Sequence, residues 1–315
     1  IYTTYDLARV SARPHDVRMG LDGWVYYDDF NDHVIGKVNP RTGEAIEYRF
    51  EDPAQRFPNL DEGGSLQNWG NRVLKRDREG KFYLTPPAVR PGTGYVVRFD
   101  PELETFEFFS NGGSFSAPES MHVDGYMWVN GGGQGLRQVR IHDRPPACLS
   151  SPQCDGEWTQ ETSIESESRL SAYDMYVDSQ NNAYGASRGS TQFWRVDAKT
   201  REVTYYPIPE NPRGDPGLGG GSRRGMFDGQ DRLWFGGFDG EVIGMLDPSL
   251  PPDRAITLFP TPIPWFQPYM AENDDSGYTW TGSISADHVA RMNEETGEWN
   301  LYLLPSTANI RQIHV

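Results

Sequence analysis

Apolar residues occur in short runs, and the runs are separated by turns rich in Gly, Asp and Asn. The stretch from Gly229 to Pro248 shows the unit. A polar turn leads into Leu233-Trp234-Phe235, a small-residue turn follows, and Val242-Ile243-Gly244-Met245-Leu246 closes at Asp247-Pro248. Runs this short, rich in β-branched and aromatic residues and bounded by turn formers, predict a β-hairpin. No stretch carries apolar residues at helical spacing, and no apolar run approaches the roughly 20 residues that span a bilayer.

The hairpin recurs. Its first aromatic falls at Tyr26, Tyr83, Trp128, Tyr184, Trp234 and Trp280, with a spacing on the order of 45–57 residues that suits propeller blades. Each aromatic run is preceded by a strand with a polar turn, such as Asp77-Arg78-Glu79-Gly80, and is followed by two more strands. Four strands repeated radially predict an all-β chain, a seven-bladed β-propeller made of six full four-stranded repeats plus a partial closing blade. The closing blade would come from Ile1–Leu7 as an outer strand and Asn309–Val315 as an inner one, with its two middle strands absent. Six closed blades with two stray ends is the alternative. The whole chain, 1–315, reads as one domain, with inserts near 51–69, 145–168 and 209–222. The Gly217–Gly221 run lacks the Gly-Lys-Ser/Thr ending of a phosphate loop. The recurring Tyr and Trp positions read as packing between blades rather than as a sugar-binding belt.

Composition supports this picture and narrows the function. The 315 residues include 34 Gly and 24 Pro, and 13% are aromatic, which fits many tight turns. The formal charge of −16 and the lack of a basic stripe argue against nucleic acid and anionic membrane. Cys148 and Cys154 lie in a Pro- and Ser-rich insert, where a disulfide would pin a loose segment. With that pairing, the expected location is periplasmic or extracellular. Two free thiols in a cytosolic chain is the other reading. Two Cys alone do not make a zinc site.

Aligning the inner strands places His15, Arg72, Glu119, Tyr173, Arg223, Tyr269 and Arg311 at equivalent positions, where propellers line a central funnel. Three of the seven are arginines. Arginine stays charged and binds carboxylate or phosphate through two parallel hydrogen bonds. A small anionic ligand is therefore one expectation; a protein partner on the propeller face is another. Repeat one stands apart because its second strand ends in Asp28-Asp29. Adjacent strand residues point to opposite faces, so only one of these carboxylates can face His15. His15 with Asp29 would form a pair suited to general-base chemistry, with Asp29 as a ligand for Mg²⁺ or Ca²⁺. The alternative is that the two Asp cap a turn with Asn31 and Asp32.

The segments Pro14-His15-Asp16-Val17, Val25-Tyr26-Tyr27-Asp28-Asp29 and Val34-Ile35-Gly36-Lys37, echoed by Leu233-Trp234-Phe235 and Val242-Ile243-Gly244, resemble the streptogramin lyase (virginiamycin B lyase) family. The similarity covers nearly the whole chain. It implies a seven-bladed propeller and, in members that open the streptogramin ring, a Mg²⁺-dependent lyase site of His and Glu residues. His15 and Asp29 fall at one such His and Glu. Arg13 stands where a second Glu is found, and Arg311 at the best match to a second His. The resemblance adds a metal-dependent lyase or hydrolase to the binding reading.

Overall fold

The computed structural model describes residues 2–51, 73–84, 95–110, 119–123, 125–130, 136–141, 153–155, 158–166, 170, 172–187, 189–214 and 222–315. The chain folds as two compact units: Thr3–Arg169, and Leu170–Val315 with Ile1–Tyr2. No helix among the described residues is long and apolar enough to cross a membrane.

The first unit holds three sheets. Sheet 1 runs in order through β1 (Pro14–Met19), β2 (Val25–Asp29), β3 (Val34–Val38) and β4 (Ala45–Arg49). Sheet 2 contains β5 (Leu74–Arg76), β6 (Phe82–Leu84), β7 (Tyr95–Asp100) and β8 (Thr105–Ser110). Sheet 3 contains β9 (Glu119–Val123), β10 (Tyr126–Asn130), β11 (Leu136–Ile141) and β13 (Trp158–Ser163). Between the last two, β12 (Gln153–Asp155) leaves the repeat and pairs in parallel with β8, adding a fifth strand to sheet 2.

The second unit repeats the plan. Sheet 4 is β14 (Asp174–Val177), β15 (Ala183–Ala186), β16 (Gln192–Val196) and β17 (Val203–Pro207). Sheet 5 is β18 (Gly225–Phe227), β19 (Leu233–Gly237), β20 (Val242–Leu246) and β21 (Ile256–Pro260). Sheet 6 is β22 (Pro268–Asn273), β23 (Tyr278–Ser283), β24 (His288–Asn293) and β25 (Trp299–Leu303). A short 3-10 turn, Phe238–Gly240, joins β19 to β20.

Within each unit the cores lie between sheets. Strand alternation sends Leu233 and Phe235 toward sheet 4, to meet Tyr184 and Phe193, while Trp234 faces sheet 6 with Ala271 and Met292. Tyr26 stacks on Phe82 of sheet 2 with centroids 4.2 Å apart, and Tyr83 packs with Met127 and Val129 of sheet 3. Tyr26, Tyr83, Tyr184 and Trp234 thus pack between sheets, and Trp280 stacks on Tyr302 within sheet 6. Their polar tips are met by an aspartate at the end of the preceding strand. Tyr83 and Tyr184 donate to Asp77 and Asp178 respectively, each at 3.0 Å; Trp234 and Trp280 donate to Asp228 at 3.0 Å and Asp274 at 2.9 Å. In sheet 1, Asp22 serves Tyr26 at 2.8 Å.

The expected seven blades are not found among the described residues, where five sheets have four strands and a sixth has five. Neither residues 2–7 nor Asn309–Val315 forms a strand. The last segment instead lies against sheet 6. Ile310 donates its amide to the Ser283 carbonyl at 3.2 Å and seats its side chain over Gly282, and His314 Nδ1 sits 2.7 Å from Glu272 Oε1. One backbone bond and side-chain anchors hold it, and no strand ladder runs along it. Cys154 lies in β12, but Cys148 is outside the described residues, and so is the expected bridge. The insert near 51–69 falls almost wholly outside them, and about half of each of those near 145–168 and 209–222 does.

Close approach of β19 to β22 requires glycine at 236. A Cβ there would lie 2.6 Å from the Pro268 carbonyl oxygen and 2.7 Å from the Met270 nitrogen, both backbone atoms that cannot swing away. Gly236→Ala is expected to destabilise the protein by about 2–3 kcal/mol, read as a lower denaturant midpoint. A change below about 0.5 kcal/mol, the range of ordinary surface substitutions, would contradict this packing.

Candidate functional site

Two groups of side chains gather at the starts of inner strands, one in each unit. In the first unit, β1 pairs with β2 through Pro14 and Asp29, and the register then shifts before Val17 pairs with Tyr27. The shift is a bulge, which takes a residue off the ladder and re-aims side chains. Asp28 Oδ1 accepts the amide of Asp16 at 2.6 Å inside it. Asp16 in turn holds His15 Nδ1 at 2.7 Å and the Leu74 amide of β5 at 3.0 Å, so one carboxylate ties sheet 1 to sheet 2. His15 is 7% exposed and stacks on Phe30, centroids 5.2 Å apart. Ligand atoms of His15, Asp16 and Asp28 all lie within 4.8 Å of one another, and all three residues are buried.

Asp29 is engaged elsewhere. Its Oδ2 pairs with Arg9 at 2.5 Å and accepts the Arg13 amide at 3.2 Å, and its Oδ1 caps Asn31 at 2.8 Å. Arg9 also reaches Asp32 and Glu47. The carboxylates grouped with His15 are therefore Asp16 and Asp28, and Asp29 takes the turn-capping role. The donor set that suits a divalent cation is one imidazole with two carboxylates. The set drawn from the family resemblance fits less well, because a guanidinium already neutralises Asp29.

In the second unit, three of the expected funnel residues converge. Tyr173 precedes β14, Arg223 precedes β18, and Tyr269 is the second residue of β22, at a bulge matching that of His15. The Arg223 guanidinium carbon lies 5.1 Å from the Tyr173 ring centroid and 5.4 Å from that of Tyr269. A third ring, Phe238 of the 3-10 turn, is nearest at 4.2 Å. The two tyrosine hydroxyls touch each other. Burial pushes the Tyr269 phenol up to about 12; Arg224 opposes the rise and Tyr173 adds to it, so Tyr269 keeps its proton at neutral pH. Asp239 reaches only to 4.0 Å from Arg223, and Arg223 Nε is buried with no hydrogen-bond partner among the described residues. The neighbouring Arg224 turns to Asp174 at 3.6 Å, both deeply buried. Rings surround the Arg223 guanidinium on three sides, and among the described residues no carboxylate is shown nearer than 4.0 Å, an arrangement that can take an oxyanion.

The other expected residues are not brought to either group by anything described. Arg72 is outside the described residues, and Glu119 lies in β9 with its side chain undescribed. Arg311 donates to Asn309 at 3.0 Å in the C-terminal segment. Sequence reasoning missed Phe238 and Asp239. Their signal was visible: the second strand of this repeat ends at Gly236-Gly237, and an aromatic and an acid follow at once.

No family profile matches the chain, and no curated protein matches it in sequence. Solved structures do. Virginiamycin B lyase from Staphylococcus aureus superposes with a TM-score of 0.68 at 18% identity, covering 96% of this chain and 87% of that one. The extracellular domain of the putative one component system BT4673 from B. thetaiotaomicron gives 0.59 at 14% identity, over 92% of this chain and 36% of that one. The β-propeller domain of Myceliophteria thermophila Cps50 (Swd1) gives 0.65 at 11%, over 95% and 89%. Likeness across such different proteins at such low identity establishes one thing: the chain has the β-propeller fold, in the form also seen in the streptogramin lyases.

Proposed function

We propose that this propeller binds a small anionic ligand, a carboxylate or phosphate, at Arg223. The observation that carries the reading is the guanidinium held among Tyr173, Phe238 and Tyr269, with a buried Nε that lacks a partner among the described residues. A buried donor left unpaired costs about 1–3 kcal/mol, and an incoming oxyanion would satisfy it. The chain's overall charge of −16 would repel anions, so specificity must come from this local cation. A protein partner offering a carboxylate side chain would use the same chemistry. A periplasmic or extracellular location suits the reading, and a structural neighbour is itself an extracellular domain. Calorimetric titration with inorganic phosphate and with acetate tests it. Binding of at least one is expected, weakened at least about 10-fold in Arg223→Ala, the loss of one charge-assisted contact. Uptake of neither anion, or equal uptake by the variant, would end the proposal.

A metal-dependent lyase or hydrolase is the second reading, favoured by the His15–Asp16–Asp28 group. Mg²⁺ or Ca²⁺ would be held by Asp16, Asp28 and His15 there and would polarise a substrate oxygen. Saturating either ion to about 100 times its Kd should add about 2.7 kcal/mol of stability, and Asp28→Asn should remove the gain. A thermal midpoint indifferent to both ions in the parent protein would dismiss this reading.

A further inference from the structure

The connection that follows sheet 5 carries a tryptophan in an unusual state. Trp265 is 73% exposed, the most exposed tryptophan described, and its backbone sits at φ +62. Left-handed backbone is uncommon for a bulky residue and is strained for it. The strain is concentrated: Gln267, two residues on, has φ +46, and Glu241 has φ +51. Glu241 accepts the Trp265 amide at 2.8 Å, so the strained residue is held by a specific bond. Glu241 is anchored in turn, with its backbone carbonyl accepting the Thr261 amide at 2.9 Å and Arg213 Nη1 3.6 Å from its carboxylate. A fixed loop is thus holding a large ring out into solvent.

That ring belongs to the same end of sheet 5 as the Arg223 site. Phe238, which covers Arg223, is three residues before Glu241, and Tyr269 is four residues after Trp265. Four residues of chain span at most about 14 Å. The 3-10 turn and the 261–267 connection lie at the same end of sheet 5, where β18 and β22 begin.

Resting on the reading of Arg223 as an anion site, we infer that the ligand carries a planar ring as well as an acid group, and that Trp265 is the platform on which the ring stacks. The ligand class is an aromatic carboxylate. The acid meets Arg223 and the Tyr269 hydroxyl, while the ring stacks on Trp265. Aromatic stacking adds to binding without needing a specific hydrogen bond, which is why an exposed, rigid tryptophan suits the role.

The probes are indole-3-acetate and indole-3-butyrate, with acetate as the ringless control, each titrated calorimetrically into the parent protein, Trp265→Gly and Trp265→Phe. At least one indole acid should bind about 3- to 10-fold tighter than acetate. Trp265→Gly should lose that margin and leave acetate unchanged, and Trp265→Phe should keep most of it. Glycine accepts the left-handed backbone freely, so Trp265→Gly should also melt no lower than the parent. That pairing of lost affinity with kept stability separates a ligand platform from a packing residue. If acetate binds through Arg223 but the indole acids gain nothing, or if Trp265→Gly keeps the margin, the platform is overturned and the anion site stands. If no acid binds, both fall.

Discussion

Four of the blades depend on one carboxylate just after the inner strand. A large aromatic can fill the space between two sheets only if its polar tip is satisfied, since a buried hydroxyl or indole N–H without a partner is costly. Asp178 shows the arrangement in full. Its Oδ1 accepts the amides of Gln180 and Asn182 at 2.9 Å, which fixes the turn, and its Oδ2 accepts Tyr184 at 3.0 Å, which fixes the ring. Asp77, Asp228 and Asp274 repeat it. One side chain thereby sets the turn, the register of the next strand and the position of the core ring. A cation from the third strand often completes the stack, as Arg195 does over Tyr184 and Arg291 over Trp280. In sheet 5 that position is Met245, and Arg232 from the turn stacks on Trp234 in its place.

Much of this was legible in the sequence, because period-2 alternation and turn residues encode strands directly. The repeat and the packing role of the aromatics could both be read. The aspartate six residues before Tyr83, Tyr184, Trp234 and Trp280 was equally visible, but it reads as an ordinary turn former until its side chain is seen to reach the ring. The seventh blade failed for a specific reason. Ile310 and His314 share a parity and do face sheet 6. Alternation records which side of a chain meets a surface; it does not record whether the backbone completes a ladder.

The pairing around His15 failed for a related reason. Strict alternation gives Asp28 and Asp29 opposite directions, and choosing between them requires the register. The bulge in β1 shifts that register by one residue, and the carboxylate grouped with His15 becomes Asp28. The same bulge in β22 aims Tyr269 at Arg223. Irregular backbone at the head of the inner strands thus positions both groups of candidate residues, while the regular part of each blade only supports them. Phe238 and Trp265 come from connections between strands, where residue patterns carry the least structural information.

The claim beneath this account is that the turn aspartate and the aromatic act as one unit. A double-mutant cycle of Asp178→Ala and Tyr184→Phe, read by chemical denaturation, measures it directly. The account predicts a coupling of about 1–3 kcal/mol, the value of a buried hydrogen bond to a charged acceptor. Additive effects, equal within about 0.5 kcal/mol, would show that the ring is held by packing alone.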